Sequence, residues 1–220
     1  MTPNIERAAT AAIETLIKNR ITSAPIMPLP AMKRLPNVLV LSFAEMAGRF
    51  GMDRDSLLTS FAMENRDVAT SVREAEDGTL RYVVAYNQRL PFYMLQRALA
   101  RELGHIVLGH DGSRPEDVRQ EEAVCFARHL LCPRPLIAAI MEADIPLTVE
   151  TLGNITGCYE RCIAGIRRTP GVHVAPELNR MVREQFADYV HNFVDCRSII
   201  TGEDESPLVD FGTYMDNYED

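Results

Sequence analysis

Residues 101 to 105 read Arg-Glu-Leu-Gly-His. Positions 101 and 105 share a face only if the backbone between them is helical, because residues i and i+4 are then neighbours one turn apart. The related pattern His-Glu-x-x-His uses that spacing to hold Zn²⁺ between two imidazoles, with the glutamate as general base. Here Glu102 and His105 keep those places, and Arg101 stands where the first histidine belongs. A guanidinium is permanently charged and has no lone pair to give a metal. The sequence thus calls for a helix shaped for a hydrolytic metal centre while putting a cation in place of one ligand.

The surrounding pattern supports that helix. Apolar periodicity predicts one long helix over Pro91 to Leu108 and a second over Pro115 to Leu131, stopped by Cys132-Pro133. Upstream, Val38 to Leu41 reads as a short buried strand, and Phe43 to Phe50 and Arg54 to Met63 as helices. Asp67 to Arg73 and Leu80 to Tyr86 flank an Asp77-Gly78 turn, the signature of a β-hairpin. The chain opens on a helix over Pro3 to Asn19, with Thr2 as N-cap and Pro3 at its first position. Ile21 to Pro36, with four prolines, is expected to be mostly extended connection. The remainder reads as helix interrupted at Gly157, Pro170, Gly171 and Pro176.

Charge and cysteine usage narrow the function classes. The net charge is −8, but seven acids and no Lys or Arg lie in Gly202 to Asp220, and removing those seven leaves −1. The tail is expected to be a solvated, disordered end, and the body has no excess of cations for neutralising phosphates. Met1 to Arg20 carries charges throughout and reads as neither an export signal nor a membrane span, and no other stretch looks apolar enough to cross a bilayer. The five cysteines, odd in number and without a C-x-x-C pair, are expected to be reduced in a cytoplasmic protein. Cys158 and Cys162 have a metal-clip spacing but read better as small buried residues. Leu147 to Arg168 has a helix-turn-helix rhythm without a basic face, so packing or substrate docking suits it better than DNA reading.

A zinc site needs a third protein ligand. In the second long helix Ala123, Phe126, Ala127 and Leu130 define a buried stripe, and Glu122 lies at its edge, within reach of a site. Glu121 reads as solvated. His110 is five residues beyond His105 and points elsewhere on an ideal helix, while Cys125 and His129 share roughly the face of Glu122 and offer an alternative donor pair. Without a metal, His105 reads as a buried, hydrogen-bonded histidine. Arg101 then has two readings: a side chain snorkelling to solvent, or a fixed cation occupying the metal position and pairing with Glu122 or Glu102.

The run Tyr86-Asn87-Gln88-Arg89-Leu90-Pro91, then ALARELGHIVLGH, then EEAVCFARHLLCP, resembles the ImmA/IrrE family of zinc metallopeptidases. That family shows A-H-E-L-G-H-x-x-L-G-H followed by E-A-N-x-F-A-x-x-L-L-x-P. The resemblance implies a zincin-like core over residues 1–145 followed by a helical region, here 146–200, with the acidic tail read from composition over 201–220. It implies an α+β fold in which a small antiparallel sheet packs on helices. It further implies zinc as cofactor, His105 and Glu122 as metal ligands, and Glu102 as catalytic base. This chain departs from the motifs at Arg101 and at Val124, where the family has Asn.

Two functions are therefore expected. One is an intracellular metallopeptidase acting on a protein partner such as the helix-turn-helix repressor of a phage or mobile element. The other is a pseudopeptidase that binds such a regulator without cutting it. Neither involves a membrane or direct nucleic-acid binding.

Overall fold

The computed structural model describes residues 2–51, 53, 55, 56, 59, 67–143, 147–157 and 172–200. They form two compact units, one of residues 1–3 and 27–124, the other of residues 4–26 and 125–220. The helix expected over Arg54 to Met63, Cys158 and Cys162, much of the helix-turn-helix-like segment, and the acidic tail lie largely or wholly outside the described residues.

The first unit holds the sheet and the Arg-Glu-Leu-Gly-His helix. Its elements are α2 (Pro28–Lys33), β1 (Val38–Ser42), α3 (Phe43–Phe50), β2 (Val68–Glu74), β3 (Leu80–Tyr86), α4 (Phe92–Val107) and the first part of α5 (Glu116–Leu131). Strand order is β1-β3-β2. β2 and β3 pair antiparallel, Val68 opposite Tyr86, through the expected hairpin, whose Gly78 has φ +77°. β1 instead pairs parallel with β3, Val38 opposite Tyr82. The α+β class is as expected, but the sheet is mixed rather than wholly antiparallel. A tight turn forces its two strands antiparallel, whereas β1 is separated from β3 by α3 and a long connection that returns the chain in the same direction.

α3 is set by a capping box: Glu45 N–H donates to the Ser42 hydroxyl, and Ser42 N–H donates back to the Glu45 carboxylate. The proline-rich connection contains a helix the composition hid. Pro28 starts α2, where its fixed φ suits the first turn and its missing N–H is not needed. α4 packs against α2, β2 and β3. It buries Gln96, Leu99, Ala100, Leu103 and Ile106, a one-sided stripe at helical spacing.

The second unit is helical where described: α1 (Ile5–Lys18), the remainder of α5, α6 (Arg134–Glu142), α7 (Val149–Thr156), α8 (Pro176–Gln185) and α9 (Ala187–Ile200). α1 begins two residues later than expected. Asn4 rather than Thr2 is the N-cap, its side chain accepting from Arg7 N–H, and Pro3 precedes the helix. Ala8, Ala9, Ala12, Ile13 and Leu16 are fully buried against neighbours that include α8. The Gln185 amide donates to the carbonyls of Leu16 and Ile21, tying α8 to the end of α1. Contrary to expectation, one helical stretch, Glu116–Glu142, is long and apolar enough to cross a membrane by length and composition. It is broken at Pro133, and 72% of its most apolar window is buried in the protein.

Candidate active site

The site lies within the first unit and is assembled by α4, the turn after it, the start of α5, and β2. Glu102 is buried, and its Oε2 accepts a 2.6 Å hydrogen bond from the Thr70 hydroxyl on β2. That bond fixes the carboxylate toward the sheet and spends one lone pair of its four.

Arg101 and His105 lie one turn apart on α4, as the spacing required. Arg101 reaches Glu102 with Nη2 at 3.4 Å from Oε1, a long contact, and its side chain is 41% exposed. Of the two carboxylates named as partners for Arg101, the structure pairs it with Glu102. Glu122 is taken by another arginine: Arg114 Nη1 and Nη2 donate to its two oxygens at 2.7 and 2.9 Å, the fork-to-fork geometry that makes guanidinium–carboxylate pairs strong. Glu122 is only 1% exposed, more deeply buried than the edge of the stripe suggested. Arg119 steadies the arrangement by donating from Nε to the Arg114 carbonyl.

His110 joins this cluster because α4 does not continue to it. Gly109 adopts φ +67°, a left-handed conformation open to glycine without steric cost. His110 N–H then donates to the His105 carbonyl at 2.9 Å and Gly109 N–H to the Ile106 carbonyl at 3.1 Å. These are the two hydrogen bonds of a Schellman turn. The turn folds His110 back over His105, Nδ1 to Nδ1 at 2.8 Å, and aims its Nε2 at Glu122 Oε2, 2.9 Å away. The ideal-helix argument that sent His110 elsewhere fails at that glycine.

The protonation pattern follows from the partners. Burial holds both imidazoles below the ordinary histidine range, the effect outweighing the pull of Glu122 on His110. His105 is pushed down to about 4, by burial first and then by His110, Arg101 and Arg119. Both rings are thus neutral at neutral pH. An ionised carboxylate only accepts, so His110 donates Nε2–H to Glu122. Its Nδ1 is left as acceptor, and His105 donates Nδ1–H to it. The Gln120 side chain hydrogen-bonds the His105 ring as well, favouring its protonated form against the effect of burial.

His105, bonded by His110 and Gln120, is the one imidazole of the cluster not tied to a carboxylate. Arg101 cannot ligate. Both oxygens of Glu122 are bonded to Arg114, and one also to His110. Catalytic zinc takes three protein ligands, and among the described residues no group of three His, Cys, Asp or Glu is placed to hold a metal. The side chains as arranged do not fit a zinc ion. Cys125 and His129, the alternative donors, are both buried and turned to each other, with His129 Nδ1 2.9 Å from the Cys125 carbonyl. Arg114 and Thr70 carried no motif signal in the sequence. Val124, the second departure, is half-buried on α5, and nothing in the structure gives it a role.

The chain belongs to the IrrE N-terminal-like domain family, which matches residues 37–153, more than half of its length. That family is a zinc-dependent peptidase family. Comparison with curated proteins and with solved structures gave no match.

Proposed function

We propose that this chain is a peptidase-family protein that holds a protein partner without zinc-dependent cleavage. The observation that carries this reading is the double use of arginine. Arg101 stands at a ligand position, and Arg114 occupies the carboxylate of Glu122, so fixed guanidinium charges do what a divalent cation does in the family's site. The partner this reading favours is an intracellular, helix-turn-helix repressor of a phage or mobile element, the substrate class that the family resemblance suggests. Localisation in the cytoplasm accords with the reduced thiols expected of such a protein.

Cleavage is the second reading, and one feature favours it. Glu102 is still held by Thr70, three residues before His105 on the same helix, the order of general base and metal ligand in the zinc-peptidase motif. Incubating the protein with a repressor encoded beside its gene, in the presence of added zinc, separates the two. The proposal expects a complex in which the repressor keeps its intact mass. Repressor fragments that disappear with Glu102→Gln would establish the peptidase instead.

A further inference from the structure

Of the seven large apolar side chains exposed among the described residues, three are consecutive: Phe92 (47%), Tyr93 (37%) and Met94 (40%) on the first turn of α4. Pro91, the N-cap, is exposed beside them. Scattered exposed apolar residues need no explanation, but a contiguous run of large ones is the ordinary mark of an interaction site. Burial along α4 begins only at Leu95 and Gln96, so packing inside the protein does not use this turn. The charge around it leans positive. Arg89 and Arg97 flank the turn, residues 87–101 hold no acid, and α2, which packs on α4, adds Lys33. Asp67, whose carbonyl accepts from Asn87 N–H, and Glu45, near Lys33, lie toward the same end, and Glu45 is held in its capping box.

The sequence supplies a matching element at its C-terminus. Residues 202–220, outside the described residues, carry seven acids and no Lys or Arg, as a solvated end would. They also carry three aromatics among nineteen residues, which solvation does not explain. Leu208, Phe211, Met215 and Tyr218 recur at i, i+3, i+7 and i+10, one face of a helix, with Asp210, Asp216 and Asp220 off that face. Ser206 followed by Pro207 is a helix start signal, N-cap and then first position. Gly212 weakens any isolated helix here, so the apolar stripe calls for a surface that holds it.

We propose that residues 202–220 of this chain dock as an amphipathic helix on the exposed first turn of α4, with Leu208, Phe211 and Met215 against Phe92, Tyr93 and Met94 and the acids toward Arg89 and Arg97. An apolar stripe laid on an apolar surface gives the affinity, and the opposed charges set the orientation. A segment of the same chain binds at high effective concentration, so a small contact suffices. Tyr93, Arg97 and Arg101 follow one another at i+4 spacing along α4. The docked segment therefore covers the approach to Arg101 and competes with the protein partner. That competition rests on the partner-binding reading above; the docking does not.

Backbone NMR of the full-length protein tests it. In Phe211→Ser combined with Met215→Ser, which keeps every charge, the amide signals of Phe92, Tyr93 and Met94 are expected to move while those of β1 and β3 stay. A synthetic peptide of residues 202–220 added to that double variant is expected to return them saturably. Adding Phe92→Ser, a change at an exposed position, is expected to weaken the peptide about tenfold. Unmoved α4 signals in the double variant, a peptide that does not return them, or unweakened binding with Phe92→Ser overturns the docking. So do parent signals that change on dilution, which assign the turn to a second copy. The double variant is expected to bind the repressor about fivefold tighter than the parent, because the competing segment is gone; equal affinity overturns the competition. Cutting of the repressor with zinc overturns the partner-binding reading whatever the α4 signals do, so the two failures are distinguishable.

Discussion

At the scale of single residues, Glu122 and the arginine that holds it decide the charge balance of the site. A carboxylate 1% exposed, bonded on both oxygens by Arg114, is stable only while the pair is complete. Breaking a buried pair costs about 3–5 kcal/mol because the remaining charge is stranded. Arg114 is 24% exposed, which puts the expectation at the low end. Arg114→Met is thus expected to cost about 3 kcal/mol of unfolding free energy, and adding Glu122→Gln to recover much of it. Denaturant unfolding of both singles and the double gives the coupling, and a value near zero ends the idea that Arg114 is the counter-charge. The same cycle built on Arg101 and Glu122 is expected to be additive, since Arg101 pairs with Glu102. The pair also governs any return of the metal. Arg101→His alone restores two imidazoles one turn apart, yet leaves Glu122 in the grip of Arg114. Arg101→His combined with Arg114→Ser frees the third ligand. Calorimetric titration is expected to show zinc binding to the combined variant at least about tenfold tighter than to Arg101→His, in keeping with the three-ligand requirement. Equal affinities contradict it.

At the scale of elements, Gly109 decides where the α4 helix stops and so where His110 goes. An L-residue in the left-handed region costs about 1–2 kcal/mol, and no neighbouring atom crowds the added Cβ at Gly109, so Gly109→Ala tests conformation alone. It is expected to destabilise by about 1 kcal/mol and to disturb the His105–His110 contact, seen as a change in the His110 imidazole resonances. Unchanged resonances contradict the role given to the turn. This turn also explains what the sequence could convey. α3, α4, α5 and the hairpin were legible because each has a local signal: apolar spacing, a Pro start or stop, an Asp-Gly turn. The placing of Arg101 and His105 on one face of α4 was legible because four residues separate them on a predicted helix. Arg114, Thr70 and the true position of His110 were not, because their roles depend on a glycine conformation and on contacts between segments distant in sequence. The short helix α2 was hidden by its own prolines, and the parallel placement of β1 by a connection whose path composition does not specify.

At the scale of the whole molecule, acid sensitivity follows from histidines buried neutral. His129 is 5% exposed, and burial pushes its folded pKa down to about 4 against the influence of its bond to the Cys125 carbonyl. As pH falls through the unfolded value near 6.5, the unfolded chain takes up the proton first, so stability is lost between about pH 6.5 and pH 4. The loss from His129 between pH 7 and pH 5 is expected to be about 2 kcal/mol. His105 shifts in the same direction, so the contribution of His129 is read as the difference between the parent and His129→Gln in denaturant unfolding at the two pH values. A variant with the same pH dependence as the parent contradicts it. The claim that joins all three scales is that a zinc-peptidase scaffold here balances its buried carboxylates with arginine instead of metal. Elemental analysis of the full-length protein, produced with zinc in the medium and purified without chelator, tests it most directly. Well under one zinc per chain is the expected result, and zinc retained at one per chain would rule out arginine as the replacement for metal.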